Sequence, residues 1–137
     1  MRILGIDSGE KRIGVAISDP LGITAQGLET IQRISKEEDI KKITELIERY
    51  KVEKIIMGLP IHMDGTQGKQ AKQAKKFANL IKKQVQIPIE FWDERLSTVQ
   101  AQKSFLQANV HWKKAKHSVD RISAQIILQG YLDSLRF

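Results

Sequence analysis

Cysteine is absent from the 137-residue chain, which removes together a disulfide framework, thiolate-held zinc, an iron–sulfur cluster and a cysteine nucleophile. Histidine is nearly as scarce. His62, His111 and His117 have no spacing that would set two imidazoles on one helical face, as zinc proteases require. A metal bound here is therefore expected to be a hard cation held by oxygen. No run approaches the roughly 18 apolar residues of a membrane span, and the opening segment lacks both the apolar length and the small-residue cleavage site of a signal peptide. A cytoplasmic protein without membrane attachment is expected. Acids are the minority charge, 16 Asp+Glu against 23 Lys+Arg, for a net charge of +7 and an isoelectric point near 9.7. That excess favours polyanionic partners, nucleic acid first, although lysines also serve solubility alone.

What is present is the composition of a globular protein, 41% hydrophobic and 28% charged, in a length that suits one domain, here 1–137. Ile3-Leu4-Gly5-Ile6 reads as a buried central strand that stops at Asp7. Residues 13–18 and 23–31 read as two more strands joined by short turns, giving an antiparallel meander. Ser35 with Glu38 forms a capping box, and Ile40, Ile43, Ile47 and Tyr50 recur at helical spacing, so a helix is predicted over 36–50. A strand at 54–57 is closed by Gly58-Leu59-Pro60. The Asp64-Gly65 turn precedes a second helix over 69–83. Its lysines, Lys69, Lys72, Lys75, Lys76, Lys82 and Lys83, are either a solvated face or a nucleic-acid contact. A fifth strand at 87–92 stops at Asp93-Glu94. Helices are predicted over 97–108, opened by Ser97 with Gln100, and over 119–135, with a basic loop at 109–117 between them.

This order predicts an α/β fold with a mixed sheet flanked by helices. Right-handed crossovers make strands one, four and five parallel. Ligands of such sheets collect outside the carboxyl ends of the parallel strands, which is where Asp7 and Asp93-Glu94 stop. Asp7 follows four apolar residues, so it is either the cap of the Ser8-Gly9 turn or a carboxylate that meets a cation. Asp93 and Glu94 are an ion pair with Arg95, a cap, or a ligand pair. Asp120 opens the last helix, where the helix dipole alone would favour it. It also shares the face of Ala124, Ile127, Leu128 and Tyr131, the stripe that must pack on the sheet. Carboxylates converging from separated segments are what Mg²⁺ or Mn²⁺ requires, and two such ions about 4 Å apart can drive in-line phosphodiester cleavage.

Four motifs carry a family resemblance: the run from Gly5-Ile6-Asp7-Ser8-Gly9 to Gly14-Val15-Ala16, Gly58-Leu59-Pro60 with Met63-Asp64-Gly65-Thr66, Asp93-Glu94-Arg95-Leu96-Ser97-Thr98, and Asp120-Arg121-Ile122-Ser123-Ala124. In this order, over nearly the whole chain, the sequence resembles the YqgF family, also called RuvX, of the ribonuclease H-like superfamily. The resemblance implies a ribonuclease H-like fold with a five-stranded mixed sheet in the order 3-2-1-4-5. It also implies a metal-dependent nuclease that matures the 5′ end of 16S ribosomal RNA precursor or, by similarity to RuvC, resolves Holliday junctions. By position, Asp7, the Asp93-Glu94 pair with Glu94 preferred, and Asp120 would be the metal-binding acids. One departure from the RuvC-type pattern is the absence of an acid at the end of strand four, where Gly58-Leu59-Pro60 stands. The missing carboxylate would come from Asp93 or Glu94, or less readily from Asp64. Ser123 replaces the family's usual alanine, and no functional change is expected from it because its hydroxyl can bond back to the preceding turn.

Lys11, Arg12 and Arg95 flank the presumed ligands and are candidate phosphate contacts. The 109–117 loop, with Trp112 among its lysines, is a candidate backbone grip or a core lid. His62 reads as a surface histidine before a proton carrier. Structured RNA is favoured over branched DNA as substrate through the resemblance alone. Two rivals stand beside the nuclease. Nucleotide binding of the actin type would need a second domain. A non-catalytic nucleic-acid-binding module would gain by losing the acids that face phosphates.

Overall fold

The apolar opening run forms β1 (Arg2–Ser8), and the Gly9 turn folds it back into β2 (Arg12–Ser18). In the computed structural model, which describes residues 1–94 and 118–135, these are followed by β3 (Ala25–Gly27), β4 (Ile31–Gln32), α1 (Lys36–Tyr50), β5 (Val52–Leu59), α2 (Lys69–Gln84), β6 (Ile89–Asp93) and α3 (Ser118–Ser134). The predicted helix over 97–108 and the basic loop over 109–117 lie outside the described residues.

The sheet runs β3-β2-β1-β5-β6, with β4 also paired to β2. β1 pairs antiparallel with β2 and parallel with β5, and β5 pairs parallel with β6. The predicted order therefore holds with one correction: the third strand is two strands. Ala16 faces Gly27, but Ile13 faces Ile31, so the third strand spends one residue more than β2 over the same stretch. That extra residue is a bulge, and it breaks the ladder at 28–30.

Alternation along the strands sends Leu4, Ile6, Ile55 and Met57 to one face of the sheet, where they pack with Ile40, Ile43 and Ile47 of α1 and Ala71, Ala74, Phe77 and Ile81 of α2. Ile3 and Ile56 face the other way, against Ala124, Ile127, Leu128 and Tyr131 of α3. α3 lies close on β1 because position 5 is glycine: a Cβ there would stand 2.8 Å from the Leu128 Cβ. Its glutamines also satisfy the short outer strand. Gln129 accepts from the Ala25 N–H at 2.9 Å, and Gln125 donates to the Ala25 carbonyl at 2.9 Å. An edge that could template pairing with another chain is thereby covered.

α1 begins as its capping signal predicts, with Ser35 Oγ accepting from the Glu38 N–H at 3.1 Å. It ends at Lys51, whose φ of 53° and ψ of 53° are left-handed. All three parallel strands deliver their carboxyl ends, at Ser8, Leu59 and Asp93, to one edge of the sheet. Among the described residues no helix is long and apolar enough to cross a membrane.

Candidate active site

Asp7, next to last in β1, and Glu94, directly after β6, line a single cavity of about 390 Å³ at this edge, with Ser8, Gly9, Pro60 and Gln70. The two acids belong to strands that do not touch, because β5 lies between them. Position 58 on β5 makes their meeting sterically feasible. A Cβ at Gly58 would stand 2.9 Å from Glu94 Oε1 and 2.6 Å from Ile127 Cδ1. The glycine is thus a window in the middle strand through which the Glu94 side chain reaches Asp7. β5 ends in Gly58-Leu59 without an acid, and Glu94 supplies the carboxylate from the end of the neighbouring β6, over the vacant Cβ position.

The carboxyls of Glu94 and Asp7 are hydrogen-bonded to one another. Burial of Glu94, then the negative charge of Asp7, the shared hydrogen bond and the charge of Asp93 push the Glu94 carboxyl from its ordinary 4.5 up to about 8. Two acids held together where water is scarce cannot both ionise without a cation. In the absence of a cation the upward shift of Glu94 favours one proton shared by the pair at neutral pH.

The loop behind Asp7 is braced from outside the sheet. Arg33 Nε donates to the Gly9 carbonyl at 2.6 Å, and an Arg33 terminal nitrogen donates to Ser8 Oγ. The other terminal nitrogen donates to Asp39 at 3.4 Å, and Asp39, buried in the first turn of α1, also accepts from the Ile34 N–H at 3.1 Å. The guanidinium lies 4.9 Å over the Phe77 ring of α2. Arg33 therefore links the β1 end to both helices on one face of the sheet. No motif marks it, because its partners are 24 and 25 residues away in sequence.

Asp120 occupies the first turn of α3, three residues before Ser123, a separation of about 4.5 Å along a helix axis. Its side chain lies outside the described residues, but Ser123 itself lines the cavity. That places position 123 at the site. Among the described residues no three His, Asp or Glu side chains form a group that could hold an ion, so the described part of the site is the Asp7–Glu94 pair.

The remaining candidates lie as follows. Asp64 is exposed in its turn, where Thr66 donates to it from the backbone at 2.9 Å and from the hydroxyl at 2.7 Å. It takes no part in the cavity. Asp93 ends β6 beside Leu59 and acts on Glu94 through its charge. Lys11 is exposed at the tip of the β1–β2 turn and Arg12 opens β2, neither lining the cavity. His62 is exposed in the loop before α2. Arg95 and Trp112 lie outside the described residues.

A family model described as RuvX, Holliday junction resolvase, matches residues 1–134. The chain belongs to the RuvX family. Among its relatives, a protein of Clostridium acetobutylicum named "Putative pre-16S rRNA nuclease" is 53% identical over 135 residues, covering 98% of this chain and 100% of that protein. One of the same name from Desulforamulus reducens is 50% identical over 134 residues, covering 98% of each. Among solved structures, Thermus thermophilus RuvC in complex with a Holliday junction substrate superposes with a TM-score of 0.67 at 15% identity, covering 99% of this chain and 95% of that one. The fowlpox virus resolvase bound to Holliday junction DNA gives 0.61 at 17% identity, covering 98% and 99%. At those identities the structural likeness establishes the fold, which is the RuvC-type, ribonuclease H-like arrangement expected for the RuvX family.

Proposed function

We propose that this chain is a divalent-metal-dependent nuclease of the cytoplasm that acts on the 5′ flank of 16S ribosomal RNA precursor, with Asp7, Glu94 and Asp120 holding Mg²⁺ or Mn²⁺. The observation that carries this reading is the Asp7–Glu94 carboxyl pair, half-buried and in contact across the Gly58 window at the carboxyl edge of the sheet. Such a pair is costly in a protein that merely binds a polyanion, because it sets negative charge and a desolvation penalty where phosphates must approach. Oxygen donors alone at this edge, in a chain without cysteine, suit a hard cation.

The bound ion would supply Lewis-acid activation of water and neutralise charge on the phosphate being cleaved. The chain's own residues do the rest. Asp7 is held in place by the Arg33 brace on Ser8 and Gly9. Glu94 would release its proton to solvent on holding the cation, so ion affinity is expected to rise with pH through its titration. Gln70, exposed at the cavity wall, can donate its amide to a phosphate oxygen. Lys11, Arg12 and Arg95 are assigned to the backbone on either side of the cleaved bond.

Precursor RNA ranks before the four-way junction because relatives at 50% identity and above carry the RNA in their names, whereas the junction appears in the titles of structures at 15–17% identity. The test is cleavage of end-labelled 16S precursor RNA and of a synthetic four-way DNA junction, each with Mg²⁺, with Mn²⁺ and with EDTA. Cleavage of the RNA that EDTA abolishes is the expected result. Symmetric nicking of the junction with intact RNA would give the resolvase reading first place, and EDTA-resistant cleavage would remove the metal.

A further inference from the structure

We propose that the trough between α1 and α2 is a track for the phosphate backbone of the nucleic-acid strand as it leaves the Asp7–Glu94 cavity. The inference rests on the nuclease reading of that cavity. Gly9 lines both the cavity and a second hollow of about 800 Å³ that follows α2, and the second hollow continues into a third of about 410 Å³ through Lys36, Leu80 and Lys83. The three hollows are neighbours on a course from the carboxyl edge of the sheet past the Gly9 turn and along the helices.

The charge of the second hollow is one-sided. Lys36, Lys69, Lys76 and Lys83 line the second hollow, all exposed, against the single acid Glu10. Among the described residues none of these four lysines has an ion-pair or hydrogen-bond partner, so their charge is available to a ligand. Spacing fits a backbone better than a compact anion. Lys69, Lys76 and Lys83 recur every seven residues on one side of α2, about 10.5 Å apart at 1.5 Å per residue. At about 3.4 Å per phosphate of a stacked strand, that is one lysine for every third phosphate. The other lysines of α2, Lys72, Lys75 and Lys82, line none of the three hollows and serve as an internal control of equal charge.

The test is fluorescence anisotropy in EDTA, where no ion is present for cleavage. The probes are fluorescein-labelled single-stranded RNA and DNA of one sequence, each long enough to fill the cavity and the trough. Binding constants are measured against KCl concentration for the wild type, for K69Q/K76Q/K83Q and for K72Q/K75Q/K82Q. Glutamine keeps the helix propensity of lysine, and circular dichroism checks the fold. The trough variant is expected to lose about 2 from the slope of log K against log salt, at about 0.7 per phosphate contact, and at least about tenfold in affinity. The control variant is expected to lose less than half of that slope change. Should the triple variant fail to fold, K76Q alone is expected to lose about 0.7.

Equal losses in both triple variants, or no loss in either, would overturn the track. A loss seen on RNA and absent on DNA would also overturn it, since phosphates are common to both. Wild-type cleavage with Mg²⁺ is scored separately. A slope loss in a chain that cleaves nothing leaves the track standing and removes the nuclease, and a cleaving chain with unchanged slopes removes the track alone.

Discussion

Gly58 is a residue whose missing side chain does chemical work. Gly58→Ala sets a Cβ 2.6 Å from Ile127 Cδ1 and 2.9 Å from Glu94 Oε1, and the contact resolves by moving either group. The expected cost in stability is about 1–3 kcal/mol for overpacking. Displacement of Glu94 by about 1 Å is expected to cost cleavage about a hundredfold more. Gly5→Ala, crowding Leu128 at 2.8 Å, is the comparison: a similar loss of melting temperature without the excess loss of cleavage. Glu94 carries a second expectation. Between about pH 4.5 and about pH 8 the folded carboxyl keeps its proton while the unfolded chain has released it, so the metal-free protein loses stability as pH rises through this window. Glu94→Gln is expected to flatten that dependence and to raise the melting temperature at pH 8 in EDTA. A melting temperature in EDTA that is level from pH 5 to pH 8 in the wild type would contradict it.

At the scale of elements, the helices were the most legible part of the chain because their signals are local. Ser35 with Glu38 marks the start of α1, and its Ile40, Ile43 and Ile47 are on the buried face found. The ends of β1 and β6 were legible for the same reason, since an apolar run that halts at an acid is visible in a few residues. The β3–β4 break was not, because a one-residue bulge is a mismatch between two strands. Nor was the Arg33 brace, whose partners are distant in sequence. Arg33→Ala removes both hydrogen bonds to the Ser8-Gly9 loop and the ion pair to the buried Asp39, which keeps its bond from the Ile34 N–H. A loss of about 2–3 kcal/mol is expected by urea unfolding, together with reduced cleavage by whatever folded protein remains. Lys51 offers the opposite sign. Its left-handed backbone suits glycine, so Lys51→Gly is expected to raise stability by about 0.5–1 kcal/mol in the same measurement.

At the scale of the whole molecule, the sheet brings Asp7 and Glu94 together from positions 87 residues apart in sequence, a difference of 94 − 7. The carboxyl-edge rule placed both acids near the same edge from sequence, and the family motifs pointed to the Asp93-Glu94 pair, with Glu94 preferred. What required three dimensions was the path between them: two strands apart, the side chains meet because β5 carries no Cβ at their crossing. Gly58 near the end of β5, where the RuvC-type pattern has an acid, is the opening that admits Glu94. Asp7→Asn tests the central claim most directly, with cleavage of precursor RNA in Mg²⁺ and affinity for the same RNA measured on one folded sample. Cleavage is expected to fall by at least about a thousandfold, or about 4 kcal/mol of transition-state stabilisation, while affinity for RNA holds or rises because a negative charge facing phosphate is gone. Cleavage within tenfold of wild type by the folded variant would contradict it, and would leave Asp7 as the cap of its turn.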